Sequence, residues 1–243
     1  MPSIQPTEDE IFVPPSAVKV AVDSFTTEIK LLEESFERDL KALTVKLKKM
    51  TDTELIQATS QLNFFQEIVD RGYGAALDKF DGEYTKMLAA AVKEARKRGI
   101  DPLAGASVEG LQVLRDMDYE RLLGRASSYA SELQAQLFRG IYGNSSISQI
   151  TSKLSETKLA SHQLNVIAYD GIKIFDDMSR YAVFKGEDVK WTYIGPQDEF
   201  TRDECKATKF SEPKDGYTEA EIPSDTPFGV RGGFNCRHSW EVR

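Results

Sequence analysis

The sequence is poor in the residues from which most metal centres and disulfide scaffolds are built. Its 243 residues include only two histidines and two cysteines, and Cys205 and Cys236 both fall in the last fifth of the chain. Two cysteines are too few for a disulfide scaffold. P-loop, HExxH and GxSxG motifs are also absent. The chain therefore lacks the short signatures of P-loop NTPases, zinc proteases and α/β-hydrolases.

Long apolar runs and an excess of positive charge are missing as well. No segment approaches the roughly 18 consecutive apolar residues of a transmembrane helix. The first residues, MPSIQPTEDEIFVPPSAVK, do not combine a basic start with an apolar stretch. We therefore expect no signal peptide, no membrane partner and synthesis in a cytoplasm. The net charge of −8 argues against a surface that coats nucleic acid, although it leaves room for local basic patches.

Residues 1–15 are predicted to form an extended N-terminal arm. The segment contains four prolines, which fix φ and disfavour helix in the residue before them. It also contains Ile11, Phe12 and Val13, an apolar cluster that a simple linker does not need. We predict that the arm becomes ordered only against a partner, with these three residues as the contact.

Residues 16–185 are predicted to form a helical body that begins with one long amphipathic helix. From Val18 to Met50, apolar residues recur at steps of three and four for about nine turns. The stripe includes Leu32 and Phe36, and it must be buried in an intramolecular hairpin or against another subunit. Both residues are therefore candidate partner contacts.

Five further helical segments follow in the predicted body. A helix capped at Thr51 or Asp52 by Glu54 is interrupted at Gly72 and Gly74, and the next begins near Ala75. Later segments are predicted around 111–137, at 148–154 and from about 156 to 184. The helix that starts near Ala75 ends in a basic cluster: Lys93, Arg96, Lys97 and Arg98. Cations in a last turn complement the helix dipole, and the alternative is a tip that contacts DNA phosphates.

Residues 186–243 are predicted to form a small α+β module. Residues 189–194 alternate as a strand does, and the chain beyond them is rich in glycine, proline and charge. The predicted fold class is therefore mainly α, with a long-helix body and a small α+β C-terminal module.

The module carries two motifs that resemble one known family. Asp198, Thr201, Arg202 and Cys205 form a D-x-x-T-R-x-x-C run, and residues 232–238 read G-G-x-N-C-R-H. This combination, after an aromatic strand, resembles the C-terminal region of the Mu F-like minor head proteins of tailed bacteriophages. The match covers about the last 55 residues, and a weaker match covers 145–184. The first 140 residues carry no recognisable motif.

The resemblance implies a structural role rather than an enzyme. It implies a minor capsid protein that acts in phage head morphogenesis at or near the portal vertex, with the portal, other head proteins or neighbouring copies as partners. The expected location is the capsid interior, after assembly in the host cytoplasm. Two alternatives are a DNA-contacting virion protein ejected with the genome and an enzyme based on cysteine and histidine or on zinc.

The two cysteines leave three chemical alternatives open. Cys205, Cys236 and His238 offer three zinc ligands, and Asp203 or His162 would be the fourth. A Cys205–Cys236 disulfide would close a long loop, and two free thiols are the remaining state. Many members of the family carry C-x-x-C and C-R-C in the corresponding places, so this chain departs from the complete cysteine pattern. No cofactor other than zinc is expected.

Overall fold

The computed structural model describes residues 16–102, 108–233 and 236–243, and it confirms the predicted fold class. Within these ranges the chain is mainly helical, with one two-stranded antiparallel sheet. None of the described helices has the length and apolar character needed to cross a membrane. The arm predicted at 1–15, with its contact residues Ile11, Phe12 and Val13, lies outside the described residues.

The helices and strands follow one another along the chain in a simple order. They are α1 (Ser16–Leu47), α2 (Asp52–Ser60), α3 (Phe64–Ile68), a π-helical turn (Val69–Tyr73), α4 (Gly74–Lys97), α5 (Val108–Tyr142), α6 (Ile147–Glu156), α7 (His162–Phe184), β1 (Trp191–Ile194), α8 (Asp203–Phe210), a 3₁₀ turn (Glu219–Glu221) and β2 (Ser239–Val242).

The chain divides into two compact units that do not follow the sequence order. The helical unit comprises Val22–Phe80 and Tyr119–Ile167. The sheet unit comprises Asp81–Asp118, Ala168–Arg243 and the described residues up to Ala21. Residues 186–243, which carry both sequence motifs, thus belong to the same unit as parts of α4, α5 and α7.

The long apolar stripe of α1 forms much of the core of the helical unit. Phe25 stacks on Phe80 with ring centroids 4.8 Å apart, and Phe36 meets Phe64 edge to face at 5.7 Å. Seven residues of the stripe are buried: Val18, Val22, Phe25, Ile29, Phe36, Leu40 and Leu47. Leu32, Leu43 and Met50 are half-buried. The chain itself therefore buries most of the surface that the sequence pattern required to be covered.

Two helix boundaries differ from the predicted ones because of local backbone chemistry. The capping box at Thr51 and Glu54 is present, with the Thr51 N–H donating to the Glu54 carboxylate over 2.9 Å. This capping box starts α2, which ends at Ser60, well before the predicted interruption. Asn63 then caps α3 by accepting a hydrogen bond from the Gln66 N–H. The predicted interruption further on is present at Gly72, whose φ of 126° is accessible mainly to glycine.

The prediction of a helix from about 156 to 184 was wrong at its start, because α7 begins at His162. Contacts of Glu33 explain the difference. The buried Glu33 carboxylate accepts the backbone N–H groups of Leu159, at 2.7 Å, and Ala160, at 3.3 Å. These bonds hold the residues between α6 and α7 in a non-helical connection. Ser161 then caps α7 by accepting from the Leu164 N–H.

The sheet unit is organised around two strands from distant parts of the sequence. Trp191 of β1 pairs with Val242 of β2, and Ile194 pairs with Ser239. The aromatic rings of Trp191, Tyr193 and Trp240 are completely buried among α4, α7 and the loops. The strand predicted at 189–194 is thus confirmed over Trp191–Ile194, whereas β2 and α8 were not predicted.

Candidate metal centre

The two sequence motifs meet in space and are joined by side-chain contacts. Arg237 forms a two-bond ion pair with Asp198, and the distance from Nη1 to Oδ2 is 2.7 Å. Arg202 donates to the backbone carbonyl of Gly232. Two charge-assisted contacts therefore fix the D-x-x-T-R-x-x-C turn against the loop that contains Cys236 and His238.

The first motif forms a closed turn before α8. The Thr201 hydroxyl donates to the Pro196 carbonyl over 2.6 Å, and the Phe200 N–H donates to the Asp198 carboxylate over 3.0 Å. The Arg237 guanidinium, together with the Thr201 hydroxyl, holds the pKa of Asp198 well below its usual range. Asp198 therefore stays charged and keeps the turn linked to Arg237 through the neutral and mildly acidic range.

Three metal-ligating side chains converge next to this turn. Cys205 lies in the first turn of α8, and Cys236 and His238 lie immediately before β2. The two sulfur atoms are 3.7 Å apart, and the Cys236 sulfur is 3.8 Å from Nδ1 of His238. All three residues are buried, and their ligand atoms lie within 4.8 Å of one another.

The surrounding groups favour a thiolate at Cys236. The Cys205 thiol and the backbone N–H groups of His238 and Gly232 donate toward the Cys236 sulfur, and these bonds together with the nearby His238 ring lower its pKa. The pKa of Cys205 is raised, because its proton is held by Cys236 and because the thiol is buried. A sulfur that already accepts several hydrogen bonds is prepared to act as a metal ligand or a nucleophile.

Two glycines provide the space in which the three side chains meet. A Cβ atom at Gly195 would lie 2.0 Å from Cδ2 of the His238 ring, and one at Gly232 would lie 2.2 Å from the Cys205 sulfur. Any larger residue at either position would push a candidate ligand away. Close approach of the candidate ligands thus explains both Gly195, which precedes the first motif, and Gly232, which opens the second.

A buried group of charged residues contacts the segment that contains Cys236 and His238. The Arg231 guanidinium donates to the carbonyls of Cys236, at 3.3 Å, and His238, at 3.5 Å. Its other nitrogens lie 3.5 Å from an Asp177 oxygen and 3.6 Å from an Asp170 oxygen. Lys173 donates to the Ser239 hydroxyl over 2.5 Å. Residues of α7 therefore hold the backbone on which two of the three candidate ligands are mounted.

The sequence did not predict this buried charged group, although the spacing of charged residues in α7 indicated a shared helix face. Asp170, Lys173 and Asp177 recur at steps of three and four, so they share one face of the helix. Charged residues are seldom fully buried, and a periodic charged face is normally read as solvent-exposed. Nothing in the sequence pointed to Arg231 as their partner.

The structure brings together only part of the predicted ligand set. Within the described residues, the ligand cluster consists of Cys205, Cys236 and His238. Asp203 is exposed on α8, and His162 is exposed at the start of α7 in the helical unit. Neither therefore serves as the predicted fourth ligand. The two cysteines are free thiols in this structure, since a disulfide requires a sulfur separation of about 2.05 Å.

The predicted DNA contacts divide into exposed and engaged residues. Lys93, Arg96 and Lys97 are exposed along the last turns of α4. Arg98 instead donates to the carbonyls of Arg243, at 2.6 Å, and Val242, at 3.2 Å. Arg98 therefore binds the end of β2, and the basic tip offers three side chains to a phosphate rather than four.

The predicted partner contacts on α1 also differ in their accessibility. Phe36 is 1% exposed and packs on Phe64, so it belongs to the core of the helical unit and offers no surface to a partner. Leu32 is half-buried and retains some exposed surface. A partner contact through this part of α1 would involve Leu32 rather than Phe36.

A cavity of about 210 Å³ opens beside the three candidate ligands. Its walls are formed by Phe200, Thr201, Arg202, Cys205, Cys236, Arg237 and His238. Phe200 is exposed, so this side of the cluster faces outward. The volume is sufficient for several water molecules or a small anion.

Comparisons with known proteins identify no relative of this chain. No protein-family model, no curated protein and no solved structure matches it. The family resemblance therefore depends on the motif residues themselves and on the geometry that connects them.

Proposed function

We propose that this protein is a minor head protein of a tailed bacteriophage that acts in head assembly at or near the portal vertex. The proposal starts from the resemblance of residues 191–240 to the Mu F-like proteins. The partners would be the portal, other head proteins or neighbouring copies of the chain. The role is structural, and we propose no catalytic residues.

The observation that carries the proposal is the physical connection between the two motifs. Asp198 pairs with Arg237, Cys205 lies against Cys236, and Gly195 leaves space for the ring of His238. Residues that are more than thirty positions apart thus belong to one cluster. A chance likeness of two short segments would not require that their distinctive residues touch each other.

A DNA-contacting protein ejected with the genome is the second candidate. It is favoured by the exposed side chains of Lys93, Arg96 and Lys97 at one end of α4. With a net charge of −8, such a tip would bind phosphates weakly and with a strong dependence on salt.

An enzyme is the third candidate, and the distance between Cys236 and His238 is the observation in its favour. Their sulfur and Nδ1 atoms are 3.8 Å apart, which is longer than the usual contact between a nucleophile and its base. Both side chains are also buried. We therefore place this alternative behind the two virion roles.

Quantitative mass spectrometry of purified phage particles tests the proposal directly. Particles made by the phage that encodes this chain should contain a few copies each, and a stop codon in the gene should lower the yield of infectious particles. The matched control is Lys86→Gln, which changes an exposed residue of α4 and should leave both measurements unchanged. Complete absence of the protein from infectious particles would refute the proposal.

The same particles separate the structural role from the ejected one. After genome release is triggered in vitro, the emptied heads are collected and their proteins are quantified. A head protein stays with the emptied heads, whereas an ejected protein leaves them. Protease treatment adds a test of the N-terminal arm: assembled particles should protect residues 1–15, and the isolated protein should not.

A further inference from the structure

Two of the three distances between the candidate ligand atoms correspond to those of a tetrahedral zinc site, and the third is within 4.8 Å. With Zn–S bonds of about 2.3 Å and Zn–N bonds of about 2.0 Å, tetrahedral angles place two sulfurs about 3.8 Å apart and a sulfur and a nitrogen about 3.6 Å apart. The sulfur atoms of Cys205 and Cys236 are 3.7 Å apart, and the Cys236 sulfur lies 3.8 Å from Nδ1 of His238. An ion can therefore be placed with little movement of these ligands.

His238 is oriented for this purpose and is poorly suited to a packing role. Its ring stacks on Tyr193 at a centroid distance of 5.0 Å and an interplanar angle of 10°. Nδ1 points toward the sulfurs, while Nε2 is buried and has no hydrogen-bond partner among the described residues. An apolar ring could fill the same space without leaving a buried polar atom unpaired. The position of Nδ1 next to the sulfurs is therefore better explained by metal binding than by packing.

The groups behind the ligands form the supporting shell that metal sites generally need. Backbone N–H groups of His238 and Gly232 donate to the Cys236 sulfur. Arg231 holds the carbonyls of Cys236 and His238, and Lys173 holds Ser239, the next residue. These contacts hold the backbone of Cys236 and His238 and the side chain of Ser239, so binding of an ion needs little rearrangement at these residues.

We propose that Cys205, Cys236 and His238 bind one zinc ion, and that its fourth coordination position is open to the adjacent cavity. Binding displaces the remaining thiol protons into solvent, so two thiolates and a neutral imidazole surround the ion. Softness of the ligands favours zinc over magnesium or calcium, which prefer oxygen.

The fourth position is assigned to water or a small anion because the described protein groups nearby are otherwise engaged. The Tyr193 hydroxyl lies 3.4 Å from the Cys205 sulfur and 3.9 Å from the Cys236 sulfur, so it is already in contact with both cysteines. The cavity brings the guanidinium groups of Arg202 and Arg237 to the outward side of the cluster. An anion bound to the ion would lie beside these two arginines, of which Arg237 is also paired with Asp198. This site does not depend on the proposed role in the virion.

Metal content of the purified protein is the first test. The full chain is produced with zinc in the medium, purified under reducing conditions and analysed by inductively coupled plasma mass spectrometry. We expect one zinc per chain, and loss of most of it in Cys205→Ser, Cys236→Ser and His238→Gln. His162→Gln is the matched control, because it removes the other histidine from an exposed position. Zinc-free wild-type protein, or equal loss in His162→Gln, would overturn the proposal.

Cobalt substitution of the wild-type protein tests the site without relying on variants, whose folding could be impaired. Wild-type protein loaded with Co²⁺ should show thiolate-to-metal charge-transfer absorption and the strong visible bands of a four-coordinate ion. Azide should shift the visible bands, because it can enter the open position next to Arg202 and Arg237. Weak bands typical of six-coordinate cobalt would refute the site. Strong bands that azide leaves unchanged would refute the open position.

Discussion

Nε of Arg231 lies 3.5 Å from a carboxylate oxygen of Asp177, and both side chains are completely buried. Arg231 also adopts a positive φ of 53°, which is uncommon for a residue with a side chain. The pair connects α7 to the loop that precedes β2. Taking two charges out of water costs several kcal/mol each, so the contact supports the structure only while both partners remain.

Replacing Arg231 should therefore destabilise the sheet unit strongly. Arg231→Met leaves the carboxylates of Asp177 and Asp170 without this cation, and we expect a loss of about 3–5 kcal/mol in the free energy of unfolding. Trp191 and Trp240 both lie in this unit, so the tryptophan fluorescence measured during urea unfolding reports its stability. Lys86→Met breaks an exposed pair with Glu83 and should change stability by at most about 0.5 kcal/mol. Similar effects of the two changes would contradict the role of Arg231.

Asp177 should give the sheet unit a pH dependence that its amide variant lacks. Burial raises the pKa of Asp177 to about 6, although Lys173 and Arg231 oppose the shift and Asp176 and Arg180 also face it. Below this pKa the folded state holds a proton that the unfolded chain, with a pKa of about 3.9, does not take up.

Stability from this group is therefore gained as the pH falls through 6 and lost as it rises. Relative to Asp177→Asn, the wild-type free energy of unfolding should increase by about 1 kcal/mol between pH 7 and pH 5. Urea unfolding of both proteins at a series of pH values measures the difference. A difference that stays constant over this range would show that Asp177 has an ordinary pKa.

Alanine at the two close-approach glycines should damage the cluster, whereas alanine at a helical glycine should not. Gly232→Ala pushes on the Cys205 sulfur and Gly195→Ala on the His238 ring, and we expect each to cost about 1–3 kcal/mol. Gly82 lies within α4 with nothing near the added methyl group, so Gly82→Ala should stabilise by about 0.5–1 kcal/mol. Fluorescence-detected unfolding measures all three. The opposite order would show that the loop adjusts freely around the cysteines.

The helical unit should depend on Phe36 far more than on its exposed neighbour. Phe36→Ala removes a buried ring that packs on Phe64, and we expect a loss of about 3–5 kcal/mol. Leu31 is 61% exposed on the same helix, and Leu31→Ala should stay within about 0.5 kcal/mol. Because both tryptophans lie in the sheet unit, hydrogen exchange of amides in α1 and α3 is the suitable measurement. Equal exchange rates in the two variants would place Phe36 outside the core.

Sequence reasoning was most successful where the structure depends on local rules. The apolar period of α1 and the cap at Thr51 are short-range signals, and the starts of these helices follow them closely. The start of α7 depends on Glu33, which is far away in the sequence, and no local pattern contains that contact. β2 has only four residues, and its partner β1 also lies far away in the sequence, so its pairing could not be predicted either.

The residues of the candidate site likewise fall into those that the sequence predicted and those that it did not. Cys205, Cys236 and His238 were identifiable from residue chemistry, because few other residue types bind zinc. The supporting residues Arg231 and Lys173 were not, since their function comes from burial and sequence rules place such charges on the surface. Asp203 was one of two residues predicted as the fourth ligand, but its position on α8 leaves it exposed.

The antiparallel pairing of β1 with β2 has a consequence for the newborn chain. Ribosomes add residues from the N-terminal end, so Trp191 and Tyr193 emerge well before Ser239–Val242. Until then the hydrogen-bonding edge of β1 has no partner strand, Lys173 lacks the hydroxyl of Ser239, and the aromatic core lacks Trp240. The helical unit, which ends at Ile167, can be completed earlier. During translation, the apolar surface of the sheet unit is thus the last part of the described core to be completed.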